Sequence, residues 1–427
     1  MLQVIFGAWP LLLGMLLLMV GNGMQGTLLG IRGDIEGFPT WQMSLVISAY
    51  FVGFLFSSRM TPALIRRVGH VRVFAALGSM ISAALILFPV VAEPVAWIAL
   101  RVLLGFCFSG VYITAESWLN NSATNETRGK ALSLYMIVQM GGVVAAQGLV
   151  SLGDPSGFIL FIVPSVLVSI AFAPILLSIN PTPPFESTKP MSLSQLVGIS
   201  PLGCVGMFAL GIVFSGMFGM AAVYGTLRGL TVSEISAFVA ALYLGALLFQ
   251  YPIGWLSDRM DRRQLAMVIA FLSALVGLLA AIFAGAFAAL LVLAFFFGGL
   301  ANPLYPLLIA YTNDMLDLDD MAAASGGLLF INGVGAIVGP LLIGSAMVAI
   351  GPSGFWIVFA AVLALLGAFA VLRMLSRPET PGGEETYTYA PIMPSASPVV
   401  VEAAQEVYAE EILGDNTTEA EQMDEES

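Results

Sequence analysis

GWLSDRMDRR, residues 254–263, is the densest block of charge in an otherwise apolar chain. Half of its residues are ionisable, and long apolar runs lie on both sides of it, at residues 235–256 and 264–285. Each run has about the 20 residues that a helix needs to cross a bilayer. A short charged segment between two such runs indicates a tight turn at the membrane–water interface.

Composition places most of the 427-residue chain in lipid. Hydrophobic residues make up 59% and charged residues 10%, whereas a soluble domain carries about 25% charged residues. The apolar runs predict an all-α membrane protein, because a single helix satisfies its own backbone hydrogen bonds in the bilayer core. The twelve predicted spans are residues 6–29, 41–61, 71–92, 96–118, 129–151, 157–179, 201–224, 235–256, 264–285, 287–311, 321–348 and 353–375.

The distribution of basic residues predicts the orientation of these spans. If both termini are cytoplasmic, twelve of the 15 Lys and Arg residues lie on the cytoplasmic side. Arg32 and Arg228 then lie outside, and Arg101 lies within a span. Such a positive-inside bias predicts a multi-pass protein of the bacterial inner (plasma) membrane with both termini cytoplasmic.

The spans fall into two similar groups of six. Gly53 in AYFVGFLF matches Gly245 in ALYLGALLF, and residues 62–72 match residues 254–264 at the same offset. Two parallel repeats are an architecture of secondary transporters. The predicted parts of the chain are an N-terminal six-helix bundle (1–180), a proline-rich cytoplasmic linker (181–198), a C-terminal six-helix bundle (199–376) and a disordered acidic cytoplasmic tail (377–427).

Several short patterns resemble motifs of one transporter family. GxLxDRxxRR at residues 254–263, RxxxG at 101–105 and GAIVGP at 335–340 resemble motifs of the major facilitator superfamily. AESWLNN at 115–121, followed by RGKA at 128–131, is similar to the bacterial YcaD-type branch of that family. The resemblance implies twelve transmembrane helices in two pseudo-symmetric six-helix bundles (the MFS fold) and secondary active transport.

Charged residues near the predicted inner turns are candidates for a gate. The resemblance implies that each signature loop lies beside the opposite half, and the charges of the two sides are largely opposed. The alternative is that the acids before the eleventh span only favour the N-terminus of a helix. The predicted gate residues are Arg66, Arg67, Arg72, Glu116, Arg128, Lys130, Asp258, Arg259, Arg262, Arg263, Asp317 and Asp320.

Arg101 is the main candidate for substrate binding. An arginine inside a membrane span costs about 2.5–3.5 kcal/mol unless it faces a cavity or a partner, although it could also extend its charge to the interface. The resemblance implies a cavity lined by the first, fourth, seventh and tenth spans. The predicted substrate-binding residues are Arg101, Asn22, Gln25, Tyr112, Asn302 and Tyr305; the alternative for each is an ordinary interhelical hydrogen bond.

Other chemistry finds no support in the sequence. It contains no P-loop, no HExxH and no Cys/His cluster, so we expect no enzyme activity, no cofactor and no metal. The excess of acid does not indicate nucleic-acid binding. The expected partners are a small-molecule substrate and the lipid bilayer, with a coupling proton as one option, and a monomer is the expected state.

These features predict a secondary active transporter that moves a small solute by alternating access. Arg101 tilts the solute toward an anion or zwitterion. The alternatives are a drug or metabolite efflux antiporter, and a non-transporting membrane sensor or scaffold that signals through its acidic tail. Deleting residues 378–427 separates transport from scaffolding: we expect solute transport to survive the deletion, whereas a scaffold should fail, and a transport assay on vesicles distinguishes the two.

Overall fold

All regular structure in the described part of the chain is helical. The computed structural model describes residues 2–122, 125–176, 191–316 and 318–376, without the side chains of residues 2–8, 120–122, 125–129, 175–176, 318–319 and 322. The helices are α1 (Leu2–Ile35), α2 (Thr40–Val68), α3 (His70–Val90), α4 (Pro94–Ser122), α5 (Asn125–Val150), α6 (Ile159–Leu176), α7 (Pro201–Leu227), α8 (Val232–Ser257), α9 (Arg262–Phe283), α10 (Phe287–Asn313), α11 (Leu318–Ile350) and α12 (Gly354–Ser376). A two-turn helix, Leu193–Ile199, precedes α7.

Length and composition confirm the predicted membrane class. Eleven of the helices are long and apolar enough to cross a bilayer, and the searched part of α6, Ile159–Pro174, is a shorter apolar helix. The charged segment at residues 254–263 contains a turn, because α8 ends at Ser257 and α9 begins at Arg262. The Asp261 carboxylate accepts a hydrogen bond from the backbone N–H of Arg263 at 2.8 Å and so caps the start of α9.

The equivalent turn in the first half is shorter than predicted. The prediction ended the second span at residue 61, but α2 continues through Pro62 to Val68. One residue, Gly69, separates α2 from α3, and its φ of 86° is a conformation that residues with a Cβ atom rarely adopt. Arg66 therefore lies on the last turn of α2, where the helix dipole favours a cation.

The helices pack in the same pattern in each half. In the first half α1 contacts α5 and α6, α2 contacts α4, and α3 contacts α4 and α6. In the second half α7 contacts α11 and α12, α8 contacts α10, and α9 contacts α10 and α12. Glycines permit the closest of these approaches: a Cβ atom on Gly53 would overlap the Val102 carbonyl of α4, and one on Gly245 would overlap the Phe295 carbonyl of α10. The predicted linker at 181–198 lies largely, and the tail at 377–427 entirely, outside the described residues, and the domain limits stay a prediction.

The two halves meet along three helix pairs, α2 with α11, α5 with α8 and α1 with α7. We call the end that carries the α2–α3 and α8–α9 turns the basic end, and the end that carries the α1–α2 and α7–α8 turns the opposite end. Toward the basic end the Arg59 guanidinium lies 4.8 Å from the Phe330 ring centroid. Toward the opposite end α1 and α7 touch, because a Cβ atom on Gly30 would lie 2.5 Å from the Ala222 Cβ atom.

Candidate functional site

A cavity of about 140 Å³ lies between the two halves. Helices α1, α2, α4 and α5 of the first half and α7, α8 and α11 of the second contribute side chains to its lining. Its polar groups come mainly from α1, α4 and α5, and its aromatic groups come mainly from α2, α7 and α8. A solute in this space would therefore touch both halves at once.

A line of hydrogen bonds joins α1 and α4 along the polar side of the cavity. Arg101 Nη1 donates to Gln25 Oε1 at 2.9 Å, Gln25 Nε2 donates to Asn22 Oδ1 at 3.1 Å, and Asn22 Nδ2 donates to the Tyr112 hydroxyl at 2.9 Å. Residues 22 and 25 share one face of α1, and residues 101 and 112 are about three turns apart on one face of α4. Helical periodicity therefore brings these four side chains together.

Arg101 is a buried cation with donors to spare. Its side chain and backbone together are 5% exposed. Its Nε donates to the Val46 carbonyl at 3.4 Å, and its guanidinium lies 4.6 Å from the centroid of the Tyr50 ring. A guanidinium has five N–H donors, and these contacts and the one to Gln25 use two of them. No Asp or Glu is among the described residues that line the cavity, so a bound anion would supply the missing counter-charge.

The other side of the cavity is an aromatic wall formed by Phe214, Phe218 and Tyr243. The Phe214 and Phe218 rings stack with centroids 6.0 Å apart, and the Phe218 and Tyr243 rings stack at 4.5 Å. Phe218 lies in a π-helical turn, Gly216–Met220, which interrupts α7. Single π-helical turns are rare and are frequent at functional sites.

Two of the predicted substrate-binding residues are not brought to the cavity. Asn302 and Tyr305 of α10 are fully buried and are not part of its lining. The Tyr305 ring instead packs edge-to-face against Phe214 with centroids 5.9 Å apart, one layer behind the wall. Close packing of α10 on α8, where a Cβ atom on Gly298 would overlap the Leu242 carbonyl, leaves α8 on the cavity. Of the four helices predicted to line the cavity, α1, α4 and α7 do so, and α8 lines it where α10 was expected.

Several lining residues were absent from the prediction, among them Tyr50, Phe51, Tyr243 and Gln147. A signal for two of them existed in the repeat. Phe51 and Tyr243 are two residues before the matched glycines of the two halves, and both line the cavity. A repeat-related pair of aromatic residues could thus have been proposed from the alignment of the halves.

Among the described residues, which leave out Asp317 and the side chain of Asp319, the arginines of the first half make no ion pair with the second half. Arg66, Arg67 and Arg72 are exposed, and none has an ion pair within the part of the chain that the structure describes. Asp314 contacts Arg262, within the second half. Asp258 also approaches Arg262, at 3.6 Å.

The other predicted gate residues have varied surroundings. Glu116 is buried and accepts a hydrogen bond from the Tyr135 hydroxyl at 3.0 Å. The Arg259 guanidinium lies 4.2 Å from the centroid of the Trp255 ring, and Arg263 lies 3.4 Å from Asp261. Lys130 and Asp320 are exposed, and Asp317 and the side chain of Arg128 lie outside the described residues.

Two repeated helical halves that enclose a partly polar cavity define a membrane transporter. The sequence pattern of the Major Facilitator Superfamily matches residues 11–240 and, in a second match, residues 204–396. The chain belongs to this superfamily. The predicted family is thereby confirmed.

The curated relatives carry the name of the predicted branch. A protein of Escherichia fergusonii, "Uncharacterized MFS-type transporter YcaD", is 28% identical over 371 residues, which cover 86% of this chain and 94% of the relative. A protein of the same name from Salmonella newport has the same identity and coverage. The resemblance to the YcaD-type branch therefore holds over most of the chain.

Solved structures share the fold. A variant of the nucleoside transporter NupG superposes with a TM-score of 0.72 at 17% identity, over 85% of this chain and 98% of that one. A bacterial homologue of the human lysosomal transporter Spinster, in an inward-facing and occupied conformation, superposes with a TM-score of 0.70 at 14% identity, over 88% and 98%. At these identities the likeness supports the fold alone.

Proposed function

We propose that the protein is a secondary active transporter that moves a small anionic or zwitterionic solute across the inner membrane by alternating access, with both termini cytoplasmic. The observation that carries this proposal is the buried guanidinium of Arg101, which lines a cavity between the halves and has unused donors. A buried cation is unfavourable in a membrane unless something pairs with it. A solute carboxylate can accept two parallel hydrogen bonds from a guanidinium.

The position of the cavity accounts for coupling between binding and movement. The polar line on α1 and α4 belongs to the first half, and the aromatic wall on α7 and α8 belongs to the second. A solute held between them stabilises conformations in which the halves are close. A ligand shifts a conformational equilibrium by its difference in affinity for the two states, so bound solute raises the population of the closed conformations through which the two open states exchange.

A gradient of solute or of protons supplies the energy. Glu116 is the candidate proton acceptor, because it lies one turn beyond Tyr112 on α4 and is buried against Tyr135. The efflux antiporter is the weaker alternative. Export of cationic solutes favours an acid in the cavity, and the described lining residues include an arginine and no acid.

A thermal-shift screen tests the proposed function. Purified protein is screened against a library of metabolites and drugs across pH, and the same screen is repeated on Arg101→Ala. The proposal expects the stabilising compounds to be predominantly acids and to lose their effect in the variant. Stabilisation mainly by cations, unchanged in the variant, would instead favour the efflux antiporter.

The gate hypothesis predicts that reversing one charge at the basic end slows transport. Arg66 is exposed in this structure, and the hypothesis assigns its pairing with the acids around the start of α11 to a state in which the basic end closes. Partly exposed pairs contribute about 0–1 kcal/mol each, so we expect Arg66→Asp to reduce the uptake rate up to about fivefold. The measurement is initial uptake of the screened solute into vesicles.

The decisive control for the gate restores opposite charges on the two sides of the proposed ion pair. Adding Asp317→Arg and Asp320→Arg to Arg66→Asp should return most of the uptake rate. Arg373→Asp, on the last turn of α12, is the matched reversal and should leave uptake near that of the wild type. If the combined variant stays as slow as the single one, the pairing is wrong.

A further inference from the structure

Behind the aromatic wall lies a pair of polar side chains that the proposed function does not yet use. We propose that Asn302 and Tyr305 form a second subsite, which takes an uncharged hydrogen-bonding group of the solute once Phe214 moves aside. The inference rests on the proposed function, since it assigns the other end of the solute that Arg101 binds.

The polar atoms of this pair are buried without partners. The amide nitrogen and oxygen of Asn302 and the hydroxyl of Tyr305 have no hydrogen-bond partner among the described residues, and both residues are fully buried. Leaving a buried polar group unsatisfied costs about 1–3 kcal/mol. Asn332, on α11, shows the ordinary outcome, because its Nδ2 donates to the Met207 carbonyl at 2.9 Å. Three unsatisfied polar atoms on two residues one turn apart in α10 leave hydrogen bonds for a ligand to make.

The backbone of α10 is broken at the same point. Its first segment ends at Ala301 and its second begins at Leu304, and Asn302 lies in the break. Pro303 and Pro306 have no backbone N–H, so they cannot complete the helical hydrogen bonds there. The break is near the middle of α10, and interrupted helices near the middle of the bilayer commonly hold substrate in transporters.

Phe214 connects this pair to the cavity. Its ring lines the cavity and also packs edge-to-face on Tyr305. It lies two residues before the π-helical turn Gly216–Met220. Conversion of a π-helical turn to α-helix changes the register by one residue, which turns the helix on one side by about 100°. Such a change would carry Phe214 away from Tyr305 and extend the cavity toward Asn302 and Tyr305.

The chemistry of the pair defines what it would bind. An asparagine amide offers both donors and an acceptor, and a tyrosine hydroxyl offers one donor and acceptor sites. Neither group is charged, so the pair suits a hydroxyl, an amide or a carbonyl. With Arg101 in the first half, the solute class is a small organic acid with an uncharged polar group at its far end. Such a solute binds both halves through directional contacts.

Thiol labelling tests whether Phe214 separates the cavity from the subsite. Asn302→Cys is made in a protein whose buried native cysteines are replaced, Cys107→Ser and Cys204→Ser. The probe is the small anionic reagent methanethiosulfonate ethylsulfonate, added to the protein in lipid nanodiscs. Adding Phe214→Ala should speed labelling at least about tenfold, because labelling follows the population of the open state.

Two other Phe→Ala substitutions are the matched controls for Phe214→Ala. Phe51→Ala enlarges the cavity from the first half, and Phe297→Ala opens space on the far side of α10, where Phe297 packs against Phe359. Neither should speed labelling more than about twofold. Equal rates in all three variants would overturn the assignment of Phe214. Tyr305→Cys repeats the test at a second position if Asn302→Cys fails to fold.

A matched pair of acids tests what the subsite binds. Benzoate and 4-hydroxybenzoate differ by a hydroxyl opposite the carboxylate. We expect 4-hydroxybenzoate to raise the thermal unfolding midpoint more than benzoate does in the wild type. Tyr305→Phe should abolish this difference and leave the benzoate shift unchanged. A difference that persists in Tyr305→Phe would contradict the subsite. No shift with either acid, together with fast labelling in Phe214→Ala, would count against the anionic solute and support the subsite.

Discussion

Arg101→Met is expected to abolish solute binding and to leave the empty protein at least as stable as the wild type. Methionine keeps an apolar stem of similar length and removes the charge. In the empty cavity the guanidinium has no carboxylate among the described lining residues, and an intramembrane arginine is itself unfavourable. Its removal therefore relieves a penalty in the empty state and removes the counter-charge in the bound state.

The expected loss of affinity is large. Truncating one partner of a buried, hydrogen-bonded charge pair costs about 2–5 kcal/mol, which corresponds to a loss in affinity of about 30-fold or more. The measurement is isothermal titration of each screened acid into wild type and variant, together with the unfolding midpoint of each empty protein. The matched control is Arg228→Met, because Arg228 is exposed at the opposite end and its side chain donates a hydrogen bond to the Ala284 carbonyl, away from the cavity. A residue with a purely structural role would give another pattern, in which the empty variant unfolds earlier and acids still bind.

Gly30→Leu is expected to shift the protein toward a state with the opposite end open. A Cβ atom on Gly30 would lie 2.5 Å from the Ala222 Cβ atom and 3.2 Å from the Val223 backbone nitrogen. Backbone atoms cannot give way as a flexible side chain can, so α1 and α7 must separate there. Overpacking costs about 1–3 kcal/mol, which corresponds to a change of about 5-fold to 150-fold in the ratio of the two states.

Spin labels measure this shift at the opposite end. Asp34→Cys on the last turn of α1 and Ser233→Cys on the first turn of α8 are exposed positions in the two halves. Gly30→Leu should transfer most of the distance distribution to a longer separation. Gly148→Leu is the matched control, because no heavy atom lies within 4 Å of the Cβ position at Gly148. An unchanged distribution in Gly30→Leu would mean that α1 and α7 do not limit opening.

The sequence predicts those site residues that can be grouped by the periodicity of a single helix. Asn22 and Gln25 share a face of α1, and Arg101 and Tyr112 share a face of α4, so periodicity alone groups each pair. The π-helical turn in α7 was beyond reach, because it shifts the register of Phe214 and Phe218 without any change in composition. The sequence also does not predict that α8 lines the cavity in place of α10, because that depends on how closely these two helices pack.

One helix end differs from its prediction for a physical reason that the sequence does not reveal. Pro62 was read as the start of a turn, yet α2 continues through it, and transmembrane helices tolerate proline because neighbouring groups compensate for the lost hydrogen bond. The pairing of the first-half arginines with the acids around the start of α11 stays a prediction, and in this structure Asp314 contacts Arg262 of its own half. Residues of opposite charge in a sequence can form an ion pair, but the sequence does not show which of several basic residues a given acid contacts.

The central claim is that the halves rock against each other, so the two ends of the protein must move in opposite directions. The direct measurement adds a second pair of spin labels at the basic end, at the exposed positions Val71 and Met260, whose replacement leaves the gate charges in place. In Gly30→Leu the distance at the basic end should shorten as the distance at the opposite end lengthens. A longer distance at the opposite end with no change at the basic end would contradict a rocking transporter.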